Sequence, residues 1–301
     1  MQLPPLEADL PPEALRVLSL ATRLTTPCGE GDMVWHAWGE GEALLLLHGG
    51  GGSWTHWVRN VEALAATGRR VLVPDLPGCG DSARPPNNGQ DADAIVAPLA
   101  VGLRQLTDGA PCDVIAFSFG SLVSVLFTAA HPELVMRLVV MGAPGLGLRN
   151  RRLPLVPWRN VADPVALEAA HRQNLATWML HRPESIDAQS IALHAANLKR
   201  DRLLKRRLAL TTLVLETLPE IGCRLDAIYG GQESLYRDTL DRIGPLLKAA
   251  PGFGELVFVP GAGHWVQYEE AERFNAELVR LLNAQDLRAG FPPSPSGRGL
   301  G

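Results

Sequence analysis

The sequence predicts an α/β fold, a largely parallel sheet covered by helices. Short apolar runs such as "ALLLLHG", "CDVIAF" and "MRLVVMGAPG" alternate with amphipathic stretches, the rhythm of chains that wind strand, helix, strand. The chain has 301 residues, 46% of them hydrophobic and 20% charged, enough for one large core carrying an insertion. Midway, the strand signal disappears for about seventy residues while helical periodicity persists.

The elements follow in order. "MVWHAWG" and "ALLLLHG" read as strands separated by the turn-forming "EGE". "WVRNVEALAATG" reads as one helix closed by Gly68, and "RRVLVPDLPG" as the next strand. "CDVIAF" and "MRLVVMGAPG" flank a helix that begins after Ser118. From residue 148 to 215 the pattern is helical, opened by loops at Pro154, Pro157 and Pro164, which predicts an all-helical insertion. "CRLDAIYGG" and "GELVFVPGAGHW" resume the strands, each followed by a helical stretch. The core therefore divides into residues 1–147 and 216–286, and the proline- and glycine-rich residues 287–301 are expected to be disordered.

A net charge of −4 gives no reason to expect nucleic acid or an acidic membrane as a partner. The one basic cluster, Lys199, Arg200, Arg202, Lys205, Arg206 and Arg207, reads as a solvated helix face. Cys28, Cys79, Cys112 and Cys223 are widely spaced, which fits reduced thiols rather than a disulfide framework or zinc site. The first residues lack the apolar core of a signal peptide, and no apolar run reaches the roughly 18–20 residues of a membrane span. A cytoplasmic protein acting on a small molecule is expected, without metal or cofactor, as a monomer or homodimer.

The chemistry centres on Ala116-Phe117-Ser118-Phe119-Gly120, where a buried strand meets a helix. A serine on such a turn is presented as a nucleophile if the residues two before and two after it are small, and alanine and glycine meet that demand. A serine hydroxyl needs a histidine to take its proton, and the histidine needs an acid to fix its tautomer. His264 in "PGAGHW" and Glu233 in "YGGQES" each follow a predicted strand and supply both, in the chain order serine, acid, histidine. Asp226 competes for the acid role, because a carboxylate inside an apolar strand is costly unless paired. Its mid-strand position makes Glu233 the better choice. "LLLLHGGGGSW" ends a strand in four glycines; the amide of Gly50, with Gly51 beside it, is expected to pair with that of Phe119 to hold an oxyanion. A phosphate-binding loop is the lesser reading, since no G-K-[ST] follows.

Taken together, "LLLLHGGGG", "VPDLPGCGDS", "AFSFGS", "YGGQE" and "GAGHWVQYEEAERFN" resemble the successive signatures of the α/β-hydrolase fold family across roughly residues 17–285. The resemblance implies a mostly parallel eight-stranded sheet with the helical insertion as a cap over the site. Within that family, "HGGGGSWTHWVRNVEAL" and "GHWVQYEEAERFN" are similar to carbon–carbon bond hydrolases of aromatic ring-fission products. Those enzymes commonly carry asparagine just before the nucleophile, where this chain has Phe117. Arg172 and Arg200 are the candidates for their cap arginine, which meets the substrate carboxylate. Trp54, Phe117, Trp178 and Trp265, with Trp57, Phe119, Trp158 and Met179, are expected to build an apolar pocket. The expected reaction is hydrolysis of an ester, lactone or thioester through an acyl-enzyme, with carbon–carbon cleavage second. A weakly catalytic ligand-binding protein, or a peroxide-dependent enzyme with the same triad, are further readings. A serine at position 118 excludes the aspartate nucleophile used by other members of this fold.

Overall fold

Eight strands pair into one sheet: β1 (Thr22–Cys28), β2 (Gly31–Trp38), β3 (Glu42–Leu47), β4 (Arg69–Pro74), β5 (Cys112–Phe117), β6 (Val135–Met141), β7 (Arg224–Gly230) and β8 (Phe253–Val259), in the order β1-β2-β4-β3-β5-β6-β7-β8. β2 runs antiparallel to both neighbours, and every other pairing is parallel. The computed structural model describes residues 4–148, 153–203 and 205–284; the tail from residue 287, with its expected disorder, lies outside the described residues.

The strand sequences are apolar on both faces because both faces are covered. Along β5, Cys112, Val114 and Ala116 enter one core cluster while Ile115 and Phe117 enter the other. β3 and β6 alternate in the same way, with Leu45, Leu47, Leu138 and Val140 on the first face and Leu44, Leu46, Val139 and Met141 on the second. Each fully buried side chain of this size stabilises the fold by roughly 1.5–3 kcal/mol. Such double-sided burial is the reason a parallel sheet reads as unbroken apolar runs.

The helices are α1 (Pro12–Ser19), α2 (Val61–Ala65), α3 (Asp93–Thr107), α4 (Phe119–Ala130), α5 (Pro164–Asn174), α6 (Ala188–Lys199), α7 (Leu213–Thr217), α8 (Ile243–Leu247), α9 (Val266–Glu269) and α10 (Ala271–Asn283). α5, α6 and α7 lie between β6 and β7, where the described residues contain no strand. A π-helical turn, Leu175–Met179, continues α5.

Three elements were not anticipated: β1, α1 and α3. β1 is an edge strand in which only Thr26 and Cys28 are buried, so it has little apolar pattern, and its backbone pairing with β2 holds it. α3 contains Pro98 and Gly102, which obscure helical periodicity. Gly102 is required there, since a Cβ would stand 2.6 Å from both Thr26 Oγ1 and Trp35 Cζ2. The single helix predicted over "WVRNVEALAATG" is broken. A 3-10 turn, Trp54–Trp57, is capped by Ser53, and the chain restarts as α2 at Val61. Between them the Asn60 side-chain amide donates to Gln267 O and Asn275 Oδ1, both at 2.9 Å.

The basic cluster departs furthest from expectation. α6 ends at Lys199, and the described residues between Arg200 and Arg207 form no helix. Arg200 is 1% exposed and donates to Asp9 Oδ2 at 2.6 Å and to the carbonyls of Pro4 and Pro5 at 2.9 Å. Arg202 donates to the carbonyls of Gly80 and Ser82, and Arg206 to Asp201 Oδ1 at 2.6 Å. Carboxylates and carbonyl oxygens from other parts of the chain draw these guanidinium groups inward, which a charge count along the sequence does not register. All four cysteines are free thiols. Among the described residues no helix is long and apolar enough to cross a membrane.

Candidate active site

β5 ends at Phe117 and α4 begins at Phe119, so Ser118 alone turns the chain, at φ 52° and ψ −118°. A non-glycine residue in that region carries on the order of 1–2 kcal/mol of strain, held here by its surroundings. The Ser118 amide donates to Met141 O at 2.7 Å. Ser121 Oγ donates to Ala116 O at 2.6 Å and accepts from the Met141 amide at 3.2 Å, tying the turn to β6. The two small residues have unequal work. A Cβ at Gly120 would lie 2.5 Å from His48 O and 2.7 Å from Leu47 O, whereas Ala116 fits its methyl fully buried in the core.

β7 and β8 deliver the partners at the same edge of the sheet. His264 Nε2 is 2.9 Å from Ser118 Oγ, and both carboxylate oxygens of Glu233 are 2.8 Å from His264 Nδ1. Glu233 is fully buried and also accepts from the Leu235 amide at 3.1 Å. Gly142 gives the histidine its space, because a Cβ there would be 2.5 Å from His264 Cε1. Asp226, the competing acid, is occupied elsewhere: it accepts from Arg224 Nε at 2.7 Å and from the Glu255 amide at 2.9 Å.

The glycine loop after β3 is held by two histidines. His48 donates from Nδ1 to Gly49 O at 2.8 Å and accepts the Leu76 amide at Nε2, also at 2.8 Å. The Gly49 amide donates to His56 Nδ1 at 3.2 Å. Burial pushes His48 down to about 4 and His56 well below its ordinary value, so both act as neutral rings. The amides of Gly50 and Phe119 have no acceptor among the described residues; Phe119 is the first residue of α4, where no intrahelical acceptor exists. The glycine loop passes beside Ser118, whose Cβ is 3.2 Å from the place a Gly49 side chain would occupy.

A cation missed in the sequence lies against this loop. The Arg206 Nε is 3.1 Å from the place a Gly50 Cβ would take, and its Cζ stands 5.3 Å over the Phe119 ring. Asp201 holds the guanidinium through one Nη, and Nε is buried without a hydrogen-bond partner among the described residues. The candidates Arg172 and Arg200 serve other ends: Arg172 donates to Ile186 O and Glu168, and Arg200 to the N-terminal segment. Only the density of arginines after α6 hinted at Arg206.

The expected aromatic pocket separates into parts. Trp54 is 1% exposed and packs its ring on His36 and Trp38, and Trp57 packs on Phe274, so both belong to the core. Trp265 is equally buried, stacked on Tyr268 at 4.2 Å with Nε1 donating to His56 O. Both Trp54 and Trp265 are 1% exposed, so each ring is taken up mainly by packing. Phe117 lies against the His264 ring, centroids 4.8 Å apart, and fixes its plane. Trp178, carried by the π-helical turn, stacks over His264 from the other segment at 6.2 Å. Met179 is buried, and its carbonyl accepts the Trp265 amide at 2.7 Å. Gly51, at φ +61°, faces Leu198 and Asp201.

Glu269 was also missed. Its buried carboxylate accepts amides from Gly263 (2.6 Å), His181 (2.9 Å) and Arg182 (2.6 Å), joining the loop of His264 to the segment after the π-helical turn. Nothing in "VQYEEAERFN" sets it apart from its neighbours.

A serine on a strand-to-helix turn at the C-terminal edge of a mostly parallel sheet is the arrangement of the α/β-hydrolase fold. The model of the alpha/beta hydrolase family matches residues 44–277, and the chain belongs to that family. It is 30% identical over 283 residues to a 2-hydroxy-6-oxononadienedioate/2-hydroxy-6-oxononatrienedioate hydrolase of Escherichia coli K12, covering 85% of this chain and 88% of that one. A protein of the same name from Paraburkholderia phymatum is 30% identical over 263 residues, covering 80% and 87%. Among solved structures, a meta-cleavage product hydrolase from Pseudomonas fluorescens IP01 is similar at a TM-score of 0.71 and 21% identity, covering 86% of this chain and 97% of that one. An epoxide hydrolase from Vigna radiata is similar at 0.68 and 18%, covering 88% and 98%. At these identities the two structures show the shared fold.

Proposed function

We propose that the protein is a serine hydrolase that cleaves a carbon–carbon bond beside a ketone, in a conjugated diketone of ring-cleavage type, through an acyl-enzyme on Ser118. The observation that carries the serine chemistry is the unbroken chain from Ser118 Oγ through His264 to Glu233, beside two amides without acceptors.

His264 Nε2 takes the Ser118 proton as Oγ adds to the ketone carbon, while Glu233 holds Nδ1–H and stabilises the imidazolium. The charge on the former carbonyl oxygen meets the Gly50 and Phe119 amides, each such donor being worth about 3–4 kcal/mol in the transition state. Collapse re-forms the carbonyl and breaks the carbon–carbon bond. The electron pair passes into the conjugated ketone of the leaving fragment as a dienolate, which takes the proton from His264. Water then gives a proton to His264, attacks the acyl carbon and releases the acid, and Ser118 recovers its proton from the imidazolium. Phe117 and Trp178 keep the imidazole in plane, and the helices between β6 and β7 act as a cap over a small hydrophobic substrate.

The ester, lactone or thioester reading gives way to carbon–carbon cleavage for two reasons. The relatives at 30% identity carry names of that reaction class. Arg206, beside Gly50, is a permanent cation that could meet the carboxylate or enolate of the dienoate fragment. Ester hydrolysis remains the second reading, favoured by Phe117, an apolar side chain at the position where the resembling carbon–carbon hydrolases commonly carry asparagine.

The test combines fluorophosphonate labelling of wild type and Ser118→Ala with turnover of a 2-hydroxy-6-oxo-dienoate and of p-nitrophenyl esters. Labelling lost in the variant and dienoate turnover above ester turnover support the proposal. Esters turned over alone establish the second reading, and a folded protein that takes no label and turns over neither substrate sinks both in favour of a ligand-binding role.

A further inference from the structure

Residues 141–143, where β6 runs out, lie against every member of the triad. Met141 O accepts the Ser118 amide at 2.7 Å, and the same oxygen accepts from Ser121 Oγ at 3.0 Å. Gly142, at φ +54°, passes along the imidazole: a Cβ on it would stand 2.5 Å from His264 Cε1 and 3.2 Å from Glu233 Oε2. The ring is thus bounded by Phe117, by Trp178 and, at its Cε1 edge, by the backbone of Gly142.

Sheet pairing alone does not hold these three residues. The ladder with β5 reaches Met141, opposite Phe117, but the ladder with β7 stops at Val140, opposite Ala227. Ala143 lies beyond both and is fully buried, so its peptide groups need partners from outside the ladder. Two tyrosines supply them. The Ala143 amide donates to the Tyr229 hydroxyl oxygen at 2.9 Å, and the Tyr236 hydroxyl donates to Ala143 O at 2.5 Å. Both rings are buried, with centroids 6.4 Å apart. Tyr229 is the penultimate residue of β7, and Tyr236 follows Glu233 in the loop after it. The strand and loop that carry the acid therefore also grip the end of β6. Burial raises Tyr229 well above its ordinary value, so its hydroxyl stays uncharged.

We infer that Tyr229 and Tyr236 are positioning residues for the triad: their hydroxyls clamp Ala143 and so set Met141 against the Ser118 turn and Gly142 against the imidazole. The inference rests on the serine-hydrolase reading and deepens it. Proton transfer depends on the 2.9 Å approach of His264 Nε2 to Ser118 Oγ. A misplacement of about 1 Å in a catalytic group costs on the order of 10²-fold in rate, and a released Ala143 frees both neighbours that limit such movement.

The test uses Tyr229→Phe, Tyr236→Phe and the double variant, in which phenylalanine keeps the ring packing and deletes only the hydroxyl. The readout is the reaction of Ser118 with a fluorophosphonate, resolved into kinact and KI, at a temperature where melting curves show every variant folded. Ile95→Val, a core variant in α3, gives the effect of lost stability alone. Each single variant should lose about tenfold in kinact with KI changed by less than about twofold. The double variant should lose less than the product of the two, because both hydroxyls act on one residue. A folded double variant with kinact within about twofold of wild type overturns the inference, as does a fall that Ile95→Val reproduces. If Tyr229→Phe does not fold, Tyr236→Phe decides alone by the same criterion. A wild type that takes no label removes the serine reading and the inference with it, whereas a labelled wild type with unaffected variants removes the inference only.

Discussion

Both oxygens of Glu233 reach the same nitrogen of His264, at 2.8 Å each, from a carboxylate that water does not touch. The histidine is thereby held with its proton on Nδ1 and its other nitrogen open to Ser118. Glu233→Gln can donate to Nδ1 and favour the opposite tautomer. The expected result is a fall in kcat of about 10⁴-fold with KM little changed, by analogy with the same replacement in a Ser-His-Asp triad. Steady-state kinetics on one turned-over substrate, with a melting curve showing the variant folded, checks it.

The elbow makes an asymmetric prediction. Ala116→Gly restores the more frequent glycine pattern but should cost about 1 kcal/mol through added chain freedom, with activity retained. Gly120→Ala pushes a methyl into two carbonyl oxygens and should cost about 1–3 kcal/mol with most activity lost. Urea unfolding of both variants decides, and equal costs would show that the turn does not discriminate between its two small positions.

Arg206→Met tests the cation beside Gly50. For a 2-hydroxy-6-oxo-dienoate, kcat/KM should fall by about 10–100-fold, the loss of one charge-assisted hydrogen bond, while neutral esters change little. A matching loss on neutral esters would mean that Arg206 only braces the loop.

Glu269 joins three amides across the loop of His264 and the segment after the π-helical turn. Glu269→Ala leaves those donors buried without an acceptor, and a destabilisation of about 2–4 kcal/mol is expected. Glu269→Gln should recover part of it. Denaturant midpoints measure the cost, and kcat in the glutamine variant reports how far His264 has shifted.

Stability should depend on pH through buried rings. Burial holds His36 and His194 near 3, His48 near 4 and His56 well below 6.5. Each therefore takes up a proton on unfolding, so stability is full above 6.5 and is lost as pH falls toward the folded values. Asp75 opposes them: burial raises it to about 7, so its contribution falls as pH rises from about 4 to 7. The four rings outnumber the one carboxyl, and unfolding free energy should be higher at pH 7 than at pH 5. His36→Phe keeps the stacking on Trp54 and should shrink that difference by about 2 kcal/mol, read from urea midpoints at the two pH values.

The sequence by itself determined the sheet, the elbow and the three residues that meet at its edge. A strand buried on both faces must be apolar throughout, and a serine turning from strand to helix needs small neighbours, so both constraints are local and visible in composition. Ser118, Glu233 and His264 each sit just past a strand end, and parallel strands bring such positions to one edge. Only the tertiary structure decided what faces what. Arg200 and Arg206 are alike in sequence, yet one is anchored to the N-terminal segment and the other lies against Gly50. Trp54 and Trp178 are alike as aromatic residues, yet one is locked in the core and the other covers His264. Long flexible or amphipathic side chains take their partners from segments far along the chain, and no local pattern encodes those partners. The edge strand β1 escaped for a related reason: backbone pairing with β2 holds it, and its own side chains bury little.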